Sequence, residues 1–185
     1  FVSRGGLKLA HGLETFGVDP TGLYCLDIGA STGGFVDVLL QRGALHVVAV
    51  DVGRGQLHTS LKGDARVTNL EATDARHLTA AMLARPPALL VCDASFIALE
   101  KLLEVPMSLA APGALFVGLF KPQFQVGRAN VGRGGIVTDI EASDAAAQRF
   151  EQWMNEKGWP IQSWTASPIT GGDGNAERLF FARRV

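Results

Sequence analysis

Cysteine is scarce in this chain, and its placement excludes two kinds of protein. Cys25 and Cys92 are the only two. Each sits inside an apolar run rather than in a C-x-x-C or Cys/His cluster, so neither a disulfide framework nor a thiolate metal site is expected, and both read as buried reduced thiols. Long apolar runs are also missing: no stretch approaches the roughly 18 to 20 residues that a membrane helix needs. The opening Phe1-Val2-Ser3-Arg4-Gly5-Gly6 has no apolar core of a secretory signal. A cytoplasmic setting is therefore expected, and the start at Phe1 reads as a trimmed end. His11, His46, His58 and His77 lack metal-ligand spacing, so no metal is expected. No Gly-x-Ser-x-Gly elbow supports Ser95 as a nucleophile. Seventeen Lys and Arg against eighteen Asp and Glu give a net charge of −1, which excludes the strongly basic balance of a general nucleic-acid binder.

What remains is the composition of one soluble α/β domain spanning 1–185: 47% hydrophobic residues, 19% charged and 22 glycines. Apolar, β-rich runs occur at Leu23–Ile28, His46–Val50, Arg66–Leu70, Ala88–Cys92, Ala114–Phe120, Ile161–Ala166 and Arg178–Ala182. Helix-length segments separate the early runs. That alternation predicts a mostly parallel seven-stranded sheet, Rossmann-like, with helices on both faces. The last two runs are joined by a helix-free connector from Ser167 to Asn175, which predicts an antiparallel hairpin at one sheet edge. Leu7, Leu9, Ala10, Leu13 and Phe16 fall on a helical spacing that stops at Gly17. Ala142–Lys157 reads as a helix ended by Gly158, with Phe150, Trp153 and Met154 as its apolar stripe. Between Pro122 and Thr138 a glycine-rich stretch without hydrophobic period predicts a long loop or lid.

The chemistry begins at Leu26-Asp27-Ile28-Gly29-Ala30-Ser31-Thr32-Gly33-Gly34-Phe35, which follows a strand and opens a helix. A strand, a glycine turn and a helix N-terminus together let backbone approach a ligand closely. The spacing is G-x-x-x-G-G rather than the dinucleotide G-x-G-x-x-G, and Asp27 precedes the first glycine by two residues. A carboxylate there repels pyrophosphate but suits a cofactor carrying an ammonium and a sulfonium, which favours S-adenosylmethionine over NAD. Asp51 ends the second run, where an acid can accept from ribose hydroxyls. Asp74 follows the third, where one can accept from an adenine amino group.

These residues carry a family resemblance. Ser3-Arg4-Gly5-Gly6-Leu7-Lys8-Leu9, the Asp27–Phe35 turn, Asp93-Ala94-Ser95-Phe96, Phe120-Lys121-Pro122-Gln123-Phe124 and Asn175-Ala176-Glu177 resemble the FtsJ-type ribose methyltransferases. Within them they resemble the TlyA or hemolysin A group, over nearly the whole chain. Thr32 stands where the wider family has proline, a departure typical of that group. The resemblance implies a catalytic tetrad of Lys8, Asp93, Lys121 and Glu177, with S-adenosylmethionine held by Asp27, Gly29, Ala30, Ser31, Thr32, Gly33, Gly34, Phe35, Asp51, Asp74 and Asp93. It implies an RNA partner, ribosomal RNA or a ribosomal subunit, and an S4-like RNA-binding domain upstream of Phe1. Lys121 is the candidate base, with Lys8 as a cationic neighbour favouring its neutral form and Asp93 and Glu177 orienting the lysines. Arg4, Arg128 and Arg133 are expected to hold RNA phosphates in a local patch, despite the neutral total. Two rivals are a small-molecule methyltransferase or NAD-type enzyme on the same fold and a membrane-active hemolysin, for which no basic amphipathic helix is visible.

Overall fold

The computed structural model describes residues 1–185. Its seven apolar runs become seven strands of one sheet: β1 (Tyr24–Ile28), β2 (His46–Val50), β3 (Val67–Leu70), β4 (Leu89–Cys92), β5 (Leu115–Phe120), β6 (Ile161–Ala166) and β7 (Arg178–Arg183). They lie in the order β3-β2-β1-β4-β5-β7-β6. The first five pair in parallel, and β7 runs antiparallel to both β5 and β6. The predicted parallel sheet with a C-terminal hairpin is therefore observed. The hairpin folds so that β7 inserts beside β5 and β6 takes the edge.

Strand side chains alternate between faces, and each face builds its own core. Leu26, Ile28, Val48, Val50, Leu90, Phe116 and Phe180 belong to one cluster. Cys25, Val47, Ala49, Leu89, Val91, Val117 and Leu179 belong to the other. The second face is covered by α1 (Gly5–Phe16), α2 (Gly34–Gln41) and α3 (Thr59–Lys62). The first is covered by α4 (Leu99–Leu102), α5 (Glu104–Ser108) and α6 (Ile140–Glu156). Asp139 caps α6 by accepting from Ala142 N at 3.0 Å, and the stripe predicted on that helix is the buried one, with Phe150 and Met154 fully enclosed and Trp153 partly so.

The segments between early strands are less helical than their length suggests. Four residues of α3 separate β2 from β3, two 3-10 turns separate β3 from β4, and α4 and α5 are single turns. Gly53, Gly55 and Gly63 interrupt the first segment and Pro86-Pro87 ends the second, so neither sustains a helix.

The chain runs from β1 outward to β3 and then returns to β4 on the other side of β1. The carboxyl ends of β1 and β4 thus border the crevice where ligands bind open α/β sheets. On the hairpin side, Phe150 meets Phe180 at a centroid distance of 5.0 Å and also contacts Phe120 and Trp164. Phe150→Ala is expected to cost about 3–5 kcal/mol, read as a lowered urea midpoint at an unchanged m-value.

Candidate active site

The crevice begins with a backbone contact. Gly29 has φ 82, and a Cβ built there would lie 2.8 Å from the carbonyl oxygen of Asp93. Only hydrogen fits, so the turn after β1 rests directly on the end of β4. Ser31 follows with a left-handed φ of 51, a conformation that costs a non-glycine residue energy unless it is held. Asp51 holds it: Oδ2 accepts from Ser31 N and Oδ1 from Gly53 N, both at 2.8 Å. Each oxygen keeps a second lone pair for a ligand hydroxyl.

Two cavities meet at this turn and share Gly29, Ser31 and Asp93. The larger, about 490 Å³, lies over β1, β2 and β4, with Asp51 and Asp74 on its wall and Ile28, Val50, Ile97 and Leu102 as its apolar lining. The smaller, about 330 Å³, lies between the turn and the start of α1. Ala30, Thr32, Gly34 and Phe35 line it from the turn, Arg4 and Lys8 from α1, and Thr170 from the β6–β7 connector.

Of the eleven residues expected around the cofactor, Gly29, Ala30, Ser31, Thr32, Gly34, Phe35, Asp51, Asp74 and Asp93 line one or both cavities. Gly33 and Asp27 do not. Gly33 turns toward α3, where a Cβ would meet Leu61 at 2.4 Å, and it is a packing glycine. Asp27 follows the strand alternation onto the face of Cys25, the side covered by α1 and α2, and lies beneath the site without lining either cavity. It is 0% exposed, and neither carboxylate oxygen has a hydrogen-bond partner. Burial first, then repulsion from Asp93 and Asp51, pushes its carboxyl well above the usual range. Asp74 is the opposite case. Its carboxylate accepts from the Arg76 side chain and backbone, which holds it down at about 2, so a ligand amino group would share an acceptor already in use.

The four residues of the expected tetrad form two ion pairs. Lys8 Nζ donates to Glu177 Oε1 at 2.7 Å; both side chains are almost fully buried, and the contact joins α1 to the residue before β7. Lys121, at the end of β5, places Nζ 2.5 Å from Asp93 Oδ1 and donates to Ser95 Oγ at 3.1 Å. Each ammonium is thus matched to a carboxylate. Asp93 and Lys8 face the smaller cavity, whereas Lys121 reaches the site through its contact with Asp93 and lines neither cavity. Arg4, Arg128 and Arg133 are exposed and outside every ion pair. Of the three, only Arg4 lines either of these two cavities.

Phe96 escapes a reading of sequence. It lines the larger cavity, is 91% exposed and has a φ of 68, and its ring lies 5.3 Å from that of Phe124. An apolar side chain in a strained conformation at the mouth of a site is a functional signal, and no periodic pattern in the sequence announces it. Both cysteines are inert by burial, with Asp27 helping to push the Cys25 thiol up to about 12.

The residues present fit a nucleoside with a cationic tail. They offer a partly apolar slot with Asp51 and Asp74 on its wall, a glycine turn where a Cβ would clash, and a buried carboxylate without a partner. A raised native pKa means Asp27 binds its proton more tightly folded than unfolded, where it titrates near 3.9. Its contribution to stability is full below that pH and is lost as pH rises. Asp27→Asn should therefore stabilise the ligand-free protein increasingly from pH 4 upward, measured by urea unfolding across pH; a difference constant with pH would contradict the assignment.

Comparison with known proteins extends these observations to the whole chain. The profile of FtsJ-like methyltransferases matches residues 1–184. The chain is 45% identical over 183 residues to the 16S/23S rRNA (cytidine-2′-O)-methyltransferase TlyA of Mycobacterium tuberculosis, which covers 99% of this chain and 68% of that protein. A solved structure from Lactococcus lactis with a provisional hemolysin designation is 38% identical, covers 100% of this chain and 89% of its own, and superposes with a TM-score of 0.97. An S-adenosylmethionine-dependent methyltransferase from Mesorhizobium loti, at 16% identity and a TM-score of 0.68, shares the fold alone. A match of this extent leaves neither the glycine turn nor the ion pairs outside it, and the chain belongs to the FtsJ-like methyltransferase family.

Proposed function

We propose that this protein is an S-adenosylmethionine-dependent RNA methyltransferase that modifies a ribose 2′-hydroxyl of ribosomal RNA. The observation that carries the reading is Asp93, which faces both cavities while its carboxylate is paired with Lys121. A donor in the larger cavity and a hydroxyl in the smaller one would meet there. The TlyA relative from M. tuberculosis supports the substrate class through its own name. Residues 1–185 act as the catalytic domain, and a cytoplasmic place of action accompanies that role. Further RNA affinity would come from the S4-like module expected upstream. No helix is long and apolar enough to cross a membrane, and nothing in the site favours the hemolysin reading.

S-adenosylmethionine, when bound, supplies an electrophilic methyl group on a sulfonium. Asp51 would accept from its ribose hydroxyls, with Asp74 beside the base and Gly29, Ala30 and Ser31 giving backbone access. Thr32, Gly34 and Phe35 shape the wall on the tail side, and Asp27 lies beneath as the buried acid.

A ribose hydroxyl is a weak nucleophile and must lose its proton as oxygen attacks carbon. Lys121, which meets the site through its contact with Asp93, is the proposed acceptor of that proton, and Asp93 would orient both Nζ and the hydroxyl. Lys8, fixed by Glu177, presents a cation at the cavity wall that draws the RNA backbone in and favours the developing oxyanion. Arg4 would meet the adjacent phosphate, and Arg128 and Arg133 phosphates further along. The exposed ring of Phe96, packed against the half-buried Phe124, suits a base turned out of its stack.

Lys121→Ala is expected to lower methyl transfer to ribosomal RNA by about 10²- to 10⁴-fold, while the affinity for S-adenosylhomocysteine, measured by calorimetry, stays unchanged. Lys121→Arg should fail equally, since a guanidinium keeps its proton. An arginine variant with native turnover would make Lys121 an electrostatic anchor and move the base to Asp93. Calorimetry that finds no S-adenosylhomocysteine binding to the folded protein would remove the cofactor reading.

A further inference from the structure

The loop spanning 122–138 carries Arg128 and Arg133; Gln125 ties its start to Leu99 and Glu100, and its far end is held by one side chain from the β6–β7 connector. Asn175, in the β6–β7 connector, is 1% exposed. Its Oδ1 accepts from Val137 N at 2.9 Å, and its Nδ2 donates to Gly135 O at 2.8 Å. Only this orientation of the amide satisfies both backbone groups. A second tie, from Gln123 Nε2 to Asp173 Oδ2 at 3.0 Å, fixes the other end of the loop to the same connector. The two arginines lie between these anchors and are free of ion pairs.

Asn175 also stands two residues before Glu177. Ala176 between them is exposed and both neighbours are buried, so the two polar side chains point inward together, as period-two backbone requires. The connector is folded onto them. Gly171 N donates to Asn175 O at 2.9 Å, and a Cβ on Gly171 would lie 2.4 Å from Glu177 Oε2. One short stretch of backbone thus holds the loop through Asn175 and Lys8 through Glu177.

We propose that Asn175 is a positioning residue for RNA, setting the arginine-bearing loop at a fixed height relative to the Lys8–Glu177 pair. It touches neither substrate nor cofactor. It acts through the loop on the RNA backbone, so that phosphates held by Arg128 and Arg133 deliver the hydroxyl to the smaller cavity. This rests on the RNA reading above.

The test compares steady-state methylation of unmodified ribosomal RNA by the full chain with S-adenosylhomocysteine affinity and with hydrogen exchange at the Val137 amide. Asn175→Ala should raise KM for RNA and lower kcat/KM by about 10- to 100-fold, leave S-adenosylhomocysteine affinity unchanged, and speed exchange at Val137. Asn175→Asp keeps the acceptor for Val137 N and loses the donor to Gly135 O, so it should fall between. Should the buried substitutions unfold the protein, Val137→Pro removes one bond from the loop side. Ile136 before it is already extended, at φ −89 and ψ 130, as a residue preceding proline must be. That variant should raise KM for RNA in the same way. Native KM for RNA in Asn175→Ala or in a folded Val137→Pro overturns the proposal, as does an equal loss of cofactor affinity. If the wild-type chain itself leaves the RNA unmethylated, the parent reading fails instead.

Discussion

The contact between Gly29 and the carbonyl of Asp93 sets the geometry on which the rest of the site depends. It exists because the chain reverses direction between β1 and β4, so the two strand ends border one crevice instead of being separated by a third strand. With only a hydrogen between them, the turn cannot lift away from β4 without opening the sheet. Asp51 then locks the left-handed Ser31 from the β2 side. The shape of the larger cavity is therefore a property of the sheet rather than of a flexible loop, and a ligand entering it meets a preorganised surface.

Charge is arranged around that fixed point at a cost. Glu177 and Lys8 are buried together, and such pairs typically contribute little net stability, because desolvation offsets their attraction. Removing one partner would cost about 3–5 kcal/mol by stranding the other. Asp27 goes further, an acid enclosed on a core face with no partner at all. A fold selected for stability alone would place an apolar residue at each of these positions. That polar groups occupy them at the one end of the sheet where ligands bind is what distinguishes a site from a core.

Much of this was legible in sequence because the strands are buried on both faces, which makes their apolar runs continuous and their ends sharp. The glycine turn was readable because it closes a strand and opens a helix, whereas Lys8, Asp93, Lys121 and Glu177 were singled out by the family resemblance, and Lys8 lies inside α1 rather than at a strand end. What was not legible depended on direction or on distance. The place of Asp27 before Gly29 does not announce that it is wholly enclosed on the α1 and α2 side with no partner. That Lys8 pairs with Glu177 and Lys121 with Asp93 is fixed by long-range contacts. Asn175 was visible only as part of a family passage. Its partners at Gly135 and Val137 lie about forty residues away, and no local pattern announces such a bond. Phe96 carries no periodic signal at all.

The sheet is divided in a way that bears on how such a site changes. Its parallel half, β1 to β4, holds the turn, Asp51 and the larger cavity. The antiparallel half, β5 to β7, with α1 laid against it, holds Lys121, Glu177, Lys8 and the arginine-bearing loop. Asp93 sits at the seam and belongs to both. The 122–138 loop ties the halves together, since Gln125 Oε1 accepts from Leu99 N at 2.8 Å and the ring of Phe124 lies 5.3 Å from that of Phe96 in the larger cavity. Donor recognition and acceptor recognition are therefore coupled through the 122–138 loop as well as through Asp93, and that carboxylate is where the chemistry requires the two to meet.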